Sequence, residues 1–362
     1  MNSHLGQFHL FHGAGQPFTV ETMPLALPGD GEILVRVRGC TLCASDLHTV
    51  AGHRSAPVPS VLGHEIIGTV EALGKNAPQA DANGTPLQVG DRVVWSVAAY
   101  CGECRLCRRG ITQKCERLFK YGHERWETGQ MPDGGLATHC LLRPGTDLVV
   151  LPDSLPDTVA CLAGCAVATV MAAFRTAGKV AGRVVLVTGT GVLGKIACAV
   201  ARVRGARVVL ASDVSPERLH TAEAFGASHF SLPETLADTV QRASGGQGVD
   251  VAIELSGSPQ AVESALGLLG IGGTLVLAGT VFPTPPVSFT PETIVRRLLT
   301  VRGIHNYATD DLRTAVALLD RTADRFPWES LIAAQYPLSE VESAFAQSLR
   351  HPAPSGRVFV YP

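Results

Sequence analysis

Residues 184–194 read Val-Val-Leu-Val-Thr-Gly-Thr-Gly-Val-Leu-Gly, an apolar run that empties into Gly-x-Gly-x-x-Gly and then into a helical pattern over 194–204. A strand that is apolar at every position must be covered on both faces, as strands of parallel sheets in α/β folds are. The first glycine allows a tight turn, the second lets backbone approach a pyrophosphate, and the third lets helix pack on strand. Gly189, Gly191 and Gly194 hold these three places, with Val192 and Leu193 between the last two as further cofactor-binding candidates. Asp213 follows Gly194 by 19 residues, at the end of the strand 207–212, where a carboxylate can bond the adenosine ribose hydroxyls. The segment predicts a dinucleotide site that prefers NAD to NADP. Asp213 would repel a 2′-phosphate, and its neighbour is Val214 rather than an arginine. Arg218, one turn into the next helix, is compatible with either nucleotide.

The same alternation continues on both sides of this segment. Strands are expected at 183–188, 207–212, 250–254, 274–278 and 300–303, with helices at 194–204, 216–225 and 259–269. Strands alternating with helices of this length imply βαβ units and a parallel sheet. The first 150 residues differ. Short β-branched runs at 33–38, 68–73, 91–97 and 148–151, bounded by turn residues, predict a β-rich unit, and the polar stretch 80–88 reads as a surface insertion. The tail offers helices at 310–320 and 338–348 and a strand at 357–361. At 362 residues the chain has length for two domains.

Composition excludes several classes. With 46% hydrophobic and 17% charged residues the chain is not disordered. A net charge of −2 gives no reason to expect nucleic acid or an anionic membrane as partner. The uncharged stretch 158–174 is too short for a span, and 264–291 is broken by glycines and prolines. Residues 1–18 lack a basic segment followed by an apolar core, so no export signal is visible and a cytoplasmic location is expected. In that compartment ten cysteines serve metal binding or packing rather than disulfides.

Cys101-x2-Cys104-x2-Cys107-x7-Cys115 places four thiols within 15 residues. Such spacing closes a four-sulfur tetrahedral shell of the kind that holds a structural zinc. The polar surroundings (Gly102, Glu103, Arg105, Arg108, Arg109) argue against packing as their purpose. A second set is dispersed. Cys43 opens Cys-Ala-Ser-Asp-Leu-His, His64 sits in Gly-His-Glu, and Cys165 lies in Gly-Cys-Ala-Val-Ala-Thr. A catalytic zinc needs three protein ligands and an open position. Spacing alone leaves open whether these three are ligands or a buried thiol pair and a core histidine.

These constellations, in this order, resemble the zinc-dependent medium-chain alcohol dehydrogenases, the family of sorbitol and threonine dehydrogenases. The likeness runs from about residue 31 to 360. It implies a GroES-like distorted β-barrel catalytic domain (1–165 and 305–362) and a Rossmann doubly wound parallel sheet (166–304), with the active site in the cleft between them. It also implies that Cys43, His64 and Cys165 bind the catalytic zinc, with Glu65 as a nearby carboxylate. The four-cysteine lobe would carry the structural zinc. By the same resemblance Ser45 bonds the substrate oxygen and passes its proton by way of the cofactor ribose toward His48. Asp46 supports His64, and Thr169 packs beside the nicotinamide. Ala44 stands where some members carry a basic residue for the pyrophosphate.

The implied activity is hydride transfer between a small alcohol or aldehyde and NAD, by a homodimer or homotetramer joined through sheet edges near 274–287. Within the family, residues 118–124, Leu-Phe-Lys-Tyr-Gly-His-Glu, resemble a subgroup associated with phosphonate catabolism. Lys120 and His123 offer donors there and Tyr121 adds surface, which suggests a substrate bearing an anionic group. The alternatives are a dehydrogenase of neutral polyols or amino-alcohols and, from another class, a non-catalytic dinucleotide-binding zinc protein acting as a redox sensor.

Overall fold

The computed structural model describes residues 5–350 and 356–362. Residues 1–4 and 351–355, which the sequence reading included in the segments 1–165 and 305–362, lie outside the described residues. The chain divides into two compact units: Met1–Cys165 with Ala308–Ala323 and Trp328–Pro362, and Ala166–Tyr307 with Asp324–Pro327.

The second unit is a six-stranded sheet in which every pairing is parallel. Its strands lie in the order His229–Ser231, Val208–Ser212, Val184–Thr188, Val249–Glu254, Leu269–Leu277 and Thr300–Gly303. Val184–Thr188 and Val208–Ser212 are buried at every residue, which is why their sequences do not alternate. From Val184–Thr188 the chain builds outward in one direction and then returns to build in the other. The two strands flanking that reversal, Val184–Thr188 and Val249–Glu254, therefore mark the switch point at which α/β sheets take their ligands. The helix expected over 216–225 is shorter, Pro216–Ala222, and ends in a tighter turn, Glu223–Phe225. Its start is well specified. Ser215 accepts the Arg218 N–H as N-cap, and Pro216 has the fixed φ suited to the first turn. Leu269–Leu277 begins five residues before the expected 274, because Leu269 pairs with Val249 ahead of a register shift. That strand has a neighbour on each side, so among the described residues the open edges of this sheet are His229–Ser231 and Thr300–Gly303.

The first unit is a curled, mostly antiparallel sheet. Ile33–Thr41 pairs with Glu65–Leu73 along one edge. Its other edge is shared: residues 33–36 take His139–Leu142 and residues 40–41 take Arg357–Tyr361. Register shifts at Leu34/Val35 and Val37/Gly39 bend the strand between these partners. The consequence is local to the site: the C-terminal strand is laid beside Thr41, just before Cys43. Leu42, Val61, Leu62, Leu136, Phe345 and Val360 pack in one core cluster, while Val35, Ile66, Val93, Trp95 and Tyr121 pack in another.

The stretch read as a surface insertion is firmly held. Asp81 is buried, its Oδ1 accepts the Asn83 and Thr85 N–H groups at 2.8 Å, and its Oδ2 accepts Val150 N–H at 2.9 Å. An unanticipated two-stranded sheet joins Leu5–Leu10 to Thr19–Pro24. Among the described residues no single helix is long and apolar enough to cross a membrane.

Candidate active site

Cys43 follows the curled strand Ile33–Thr41 and caps the short helix Ala44–Val50. Asp46, in the first turn, is buried and works in two directions. Its Oδ2 accepts Cys43 N–H at 2.9 Å and its Oδ1 lies 3.2 Å from His64 Nδ1. One carboxylate thus fixes the backbone of Cys43 and the ring of His64, leaving His64 Nε2 for other partners. Ser45 Oγ is 3.3 Å from that nitrogen. His48 sits one turn further along the same helix, half-buried, with its ring 5.8 Å from that of His53.

His64 and Glu65 enter at the start of the strand Glu65–Leu73, and Cys165 sits at the junction between the turn Leu162–Gly164 and the helix Ala166–Ala177. The ligand atoms of Cys43, His64, Glu65 and Cys165 all lie within 4.8 Å of one another. Two sulfurs, an imidazole nitrogen and a carboxylate oxygen are donors that zinc accepts. The charge balance also suits a cation. The hydrogen bond from Cys165, aided by Arg357 and His64, holds the Cys43 thiol well below its ordinary range. Burial opposes the charged form of His64, yet the Asp46 carboxylate outweighs it and raises the imidazole well above its usual value. The cluster therefore draws positive charge to itself, and a dication fits its donor set. Burial pushes the Glu65 carboxyl up to about 7 against the pull of Arg357.

Arg357 was not legible in the sequence. It heads the strand Arg357–Tyr361, buried, with Nη2 3.2 Å from Glu65 Oε1 and 3.4 Å from Cys43 Sγ. Thr41 donates its hydroxyl to the other Glu65 oxygen at 2.5 Å. The available signal was weak: one arginine opening an otherwise apolar strand.

The four-cysteine lobe forms a second cluster. All four are free thiols, with Cys101–Cys115, Cys104–Cys115 and Cys101–Cys107 sulfurs at 3.4, 3.9 and 4.0 Å. A sulfur tetrahedron at the usual zinc–sulfur distance has an edge of ~3.8 Å, so these thiols already stand at the right separation. Backbone N–H groups of Cys104, Cys107 and Arg117 point at Cys101, Cys104 and Cys115 sulfurs, as thiolates require. The Arg117 side chain pairs with Glu103 and also supports the Cys101 thiolate, which falls to about 6.

In the second unit the glycine loop has the geometry its spacing foretold. Gly189 turns with φ +85°, and a Cβ there would stand 2.6 Å from Ser256 N. A Cβ on Gly194 would meet Gly189 O at 1.9 Å, whereas one on Gly191 would meet nothing within 4 Å. The middle glycine thus faces open space beside the start of the helix Val192–Val203, where Val192 and Leu193 N–H groups have no partner inside the helix. Asp213 is tightly held. Its Oδ2 accepts Thr190 N–H at 2.7 Å, and its Oδ1 accepts Ser215 N–H and Arg218 Nε and Nη2. Burial works against its charge, but these bonds keep the carboxyl below its usual value. Thr169 is half-buried on the helix Ala166–Ala177.

Two expectations for the loop 118–126 need correction. Tyr121 is fully buried in a core cluster, with its hydroxyl 2.5 Å from Thr146 Oγ1, so it offers no surface to a substrate. It opens the turn that follows the strand Phe119–Lys120. His123 is placed at the site, its ring 4.8 Å from that of His64. However, burial, reinforced by His64, lowers it to about 3, so the ring is neutral. Its Nδ1 donates to Tyr121 O at 2.8 Å, which leaves Nε2 as an acceptor rather than an anion-binding donor. Lys120 remains half-buried, and its ammonium is lowered by burial and by Arg54, a cation the sequence reading passed over.

Comparison with known proteins matches two family models to this chain. The family model for an alcohol dehydrogenase GroES-like domain matches residues 29–153, and that for a zinc-binding dehydrogenase matches residues 192–321. An L-threonine 3-dehydrogenase of Streptomyces avermitilis is 31% identical over 332 residues, covering 88% of this chain and 89% of that protein. An alcohol dehydrogenase structure from Thermotoga maritima superposes with a TM-score of 0.92 at 29% identity, over 99% of this chain and 100% of that one. A Sinorhizobium meliloti structure described as a zinc-binding dehydrogenase bound to NADP has a TM-score of 0.84 at 25% identity, over 99% and 100% of the two chains.

Proposed function

Because the chain belongs to the zinc-dependent medium-chain alcohol dehydrogenases, oxidoreductases that act on CH–OH donors with zinc and a nicotinamide cofactor, we propose that it oxidises or forms a small alcohol at the cluster of Cys43, His64 and Cys165. The observation that carries this is the convergence of those three side chains with Glu65, within 4.8 Å. Cys43, His64 and Cys165 would hold the zinc, while Cys101, Cys104, Cys107 and Cys115 would hold a structural ion. When bound, zinc supplies Lewis acidity that lowers the pKa of a hydroxyl, and the nicotinamide supplies the hydride acceptor or donor.

The chain's own residues do the rest. Asp46 fixes the tautomer and orientation of His64. Glu65, neutralised in part by Arg357, balances the charge behind the ligands. Ser45, beside His64, is placed to take the hydrogen bond of the substrate hydroxyl, and His48 on the same helix face passes the proton outward. His123, neutral, offers Nε2 as an acceptor to a substrate O–H. The test is a screen of alcohols and aldehydes with NAD and NADH on zinc-loaded protein; no turnover with any of them would overturn the reading.

The cofactor is NAD in this reading, read by Asp213 at the strand end. Arg218 already satisfies one Asp213 oxygen, so discrimination rests on charge repulsion against a 2′-phosphate. Asp213→Asn is therefore expected to cost NAD about tenfold in kcat/KM and to raise that of NADP by a similar factor, ~1.4 kcal/mol each way. Parallel assays with both nucleotides check it, and an unchanged ratio removes Asp213 from the specificity role.

We infer further that the substrate carries an anionic group such as a phosphonate, phosphate or carboxylate. The support is Lys120, half-buried and under the influence of both Cys165 and Arg54, with no carboxylate salt bridge to either cation among the described residues. Lys120→Ala and Arg54→Ala should each raise KM for an anionic alcohol by ~10–100-fold while leaving its neutral analogue within about twofold. Equal effects on both substrates would favour a neutral polyol or amino-alcohol instead.

One open edge of the parallel sheet, Thr300–Gly303, with Val301, Val295 and Leu298 exposed, favours a homodimer formed by edge pairing. Ten free thiols, six of them in the two metal clusters, favour the cytoplasm.

A further inference from the structure

Glu254 closes the strand Val249–Glu254 and is fully buried. A carboxylate in such a place is costly unless donors converge on it. They do so on one oxygen: Oε1 accepts Ser256 N–H at 2.7 Å, the Ser256 hydroxyl at 2.6 Å and Gly257 N–H at 2.9 Å. Charge-assisted bonds of this length fix the turn that leaves the strand. The other oxygen, Oε2, is buried and has no partner among the described residues, as is true of Oγ1 of Thr188, its register partner on the adjacent strand.

The clamped turn abuts the glycine loop. Leu255 N–H donates to Thr188 O at 2.9 Å, and a Cβ on Gly189 would strike Ser256 N at 2.6 Å and Ser256 Cα at 2.8 Å. On the far side a Cβ on Gly279 would strike Gly257 N at 2.5 Å. Three segments leaving three neighbouring strands thus lie backbone against backbone, with no side chain between them to absorb a shift. The position of Ser256 determines where Gly189 can sit, and Gly189 leads into the helix start that faces the open space at Gly191.

We propose that Glu254 is the positioning residue of the dinucleotide site: through its clamp on Ser256 and Gly257 it holds the glycine loop in the conformation that receives the pyrophosphate. This rests on the reading of that loop as the nicotinamide-cofactor site. Glu254 touches no reacting atom, so its removal acts on cofactor affinity and little on the chemical step.

The test measures NADH binding by fluorescence titration, with KM for NAD and kcat, on full-length zinc-loaded protein. Glu254→Ala is expected to raise the NADH Kd and the KM for NAD by ~10–100-fold, with kcat at saturating NAD within about threefold of the parent. Glu254→Gln keeps the acceptor on Ser256 and Gly257 but loses the charge, so it should fall between parent and Ala, at ~3–10-fold. Gly189→Ala crowds Ser256 directly and should weaken NADH on its own. Adding Glu254→Ala to it should cost less than the single changes multiplied, because both act through one contact. If Gly189→Ala leaves NADH affinity intact, the dinucleotide reading itself falls. If Gly189→Ala weakens NADH while Glu254→Ala only lowers the melting temperature, the clamp proposal falls and the cofactor reading stands. Should Glu254→Ala not fold, Glu254→Gln decides: a raised KM at constant kcat supports the proposal, and an unchanged KM overturns it.

Discussion

His64→Ala is expected to lower kcat/KM by ~10³-fold or more, about 4 kcal/mol at ~1.4 kcal/mol per tenfold, while the protein stays folded. His64 is the one imidazole in its cluster, and its Nε2 is the nitrogen left over once Nδ1 is committed to Asp46. Removing it takes one donor from a set that needs three protein ligands to keep metal in place. Metal content should fall by one ion per chain, with the four-cysteine lobe unaffected. The fold should tolerate the change, because Asp46 keeps its bond to Cys43 N–H through Oδ2. Its Oδ1 is left buried and unpaired, which costs roughly 1–3 kcal/mol of stability. Elemental analysis, a melting curve and steady-state rates check all three effects together. Near-normal turnover at full metal content would refute the assignment of the site.

Cys104→Ser is expected to act on stability instead. Glu103, Arg105, Arg108 and Arg109 are exposed, and the lobe's own buried residues are chiefly the cysteines, so it has little apolar core. Its order depends on what the four sulfurs hold. A segment of this kind derives its folding energy from the metal, and losing one thiolate from a closed shell should release it. The melting temperature should drop by ~6–12 °C, the equivalent of about 3 kcal/mol or more at 2–4 °C per kcal/mol. Proteolysis should open new cuts between residues 100 and 117. Metal content again falls by one ion per chain, but His64→Ala and Cys104→Ser remove different ions, so the double variant should hold none. An unchanged melting temperature with full metal content would show that the four thiols are not a metal shell.

Both expectations grow from features of unequal legibility. The four-cysteine lobe and the glycine loop could be read directly because each is local. Cys101 to Cys115 closes within one short stretch, and the Gly189 turn follows from the strand and helix that flank it. The parallel sheet was equally open to reading, since strands buried on both faces spell continuous apolar runs. Cys43, His64 and Cys165 lie far apart in sequence, and spacing left their role undecided until a family resemblance joined them.

Other features depended on contacts that no local pattern encodes. Arg357 meets Glu65 across 292 residues, only because the C-terminal strand adds to the edge of Ile33–Thr41. Tyr121 and Lys120 are sequence neighbours with different fates, one sealed in the core and the other half-buried, and nothing in their local sequence separates them. The charge of His123 was set by burial and by His64 beside it, neither of which its sequence neighbours reveal. Glu254 ends the strand expected at 250–254, and only the turn folded back over it shows what the carboxylate holds. Sequence by itself determined five strands of the parallel sheet and the two local motifs, because backbone preference and short loop closure act over a few residues. The tertiary structure decided which side chains meet and which are charged, because burial and electrostatic pairing depend on distance in space rather than along the chain.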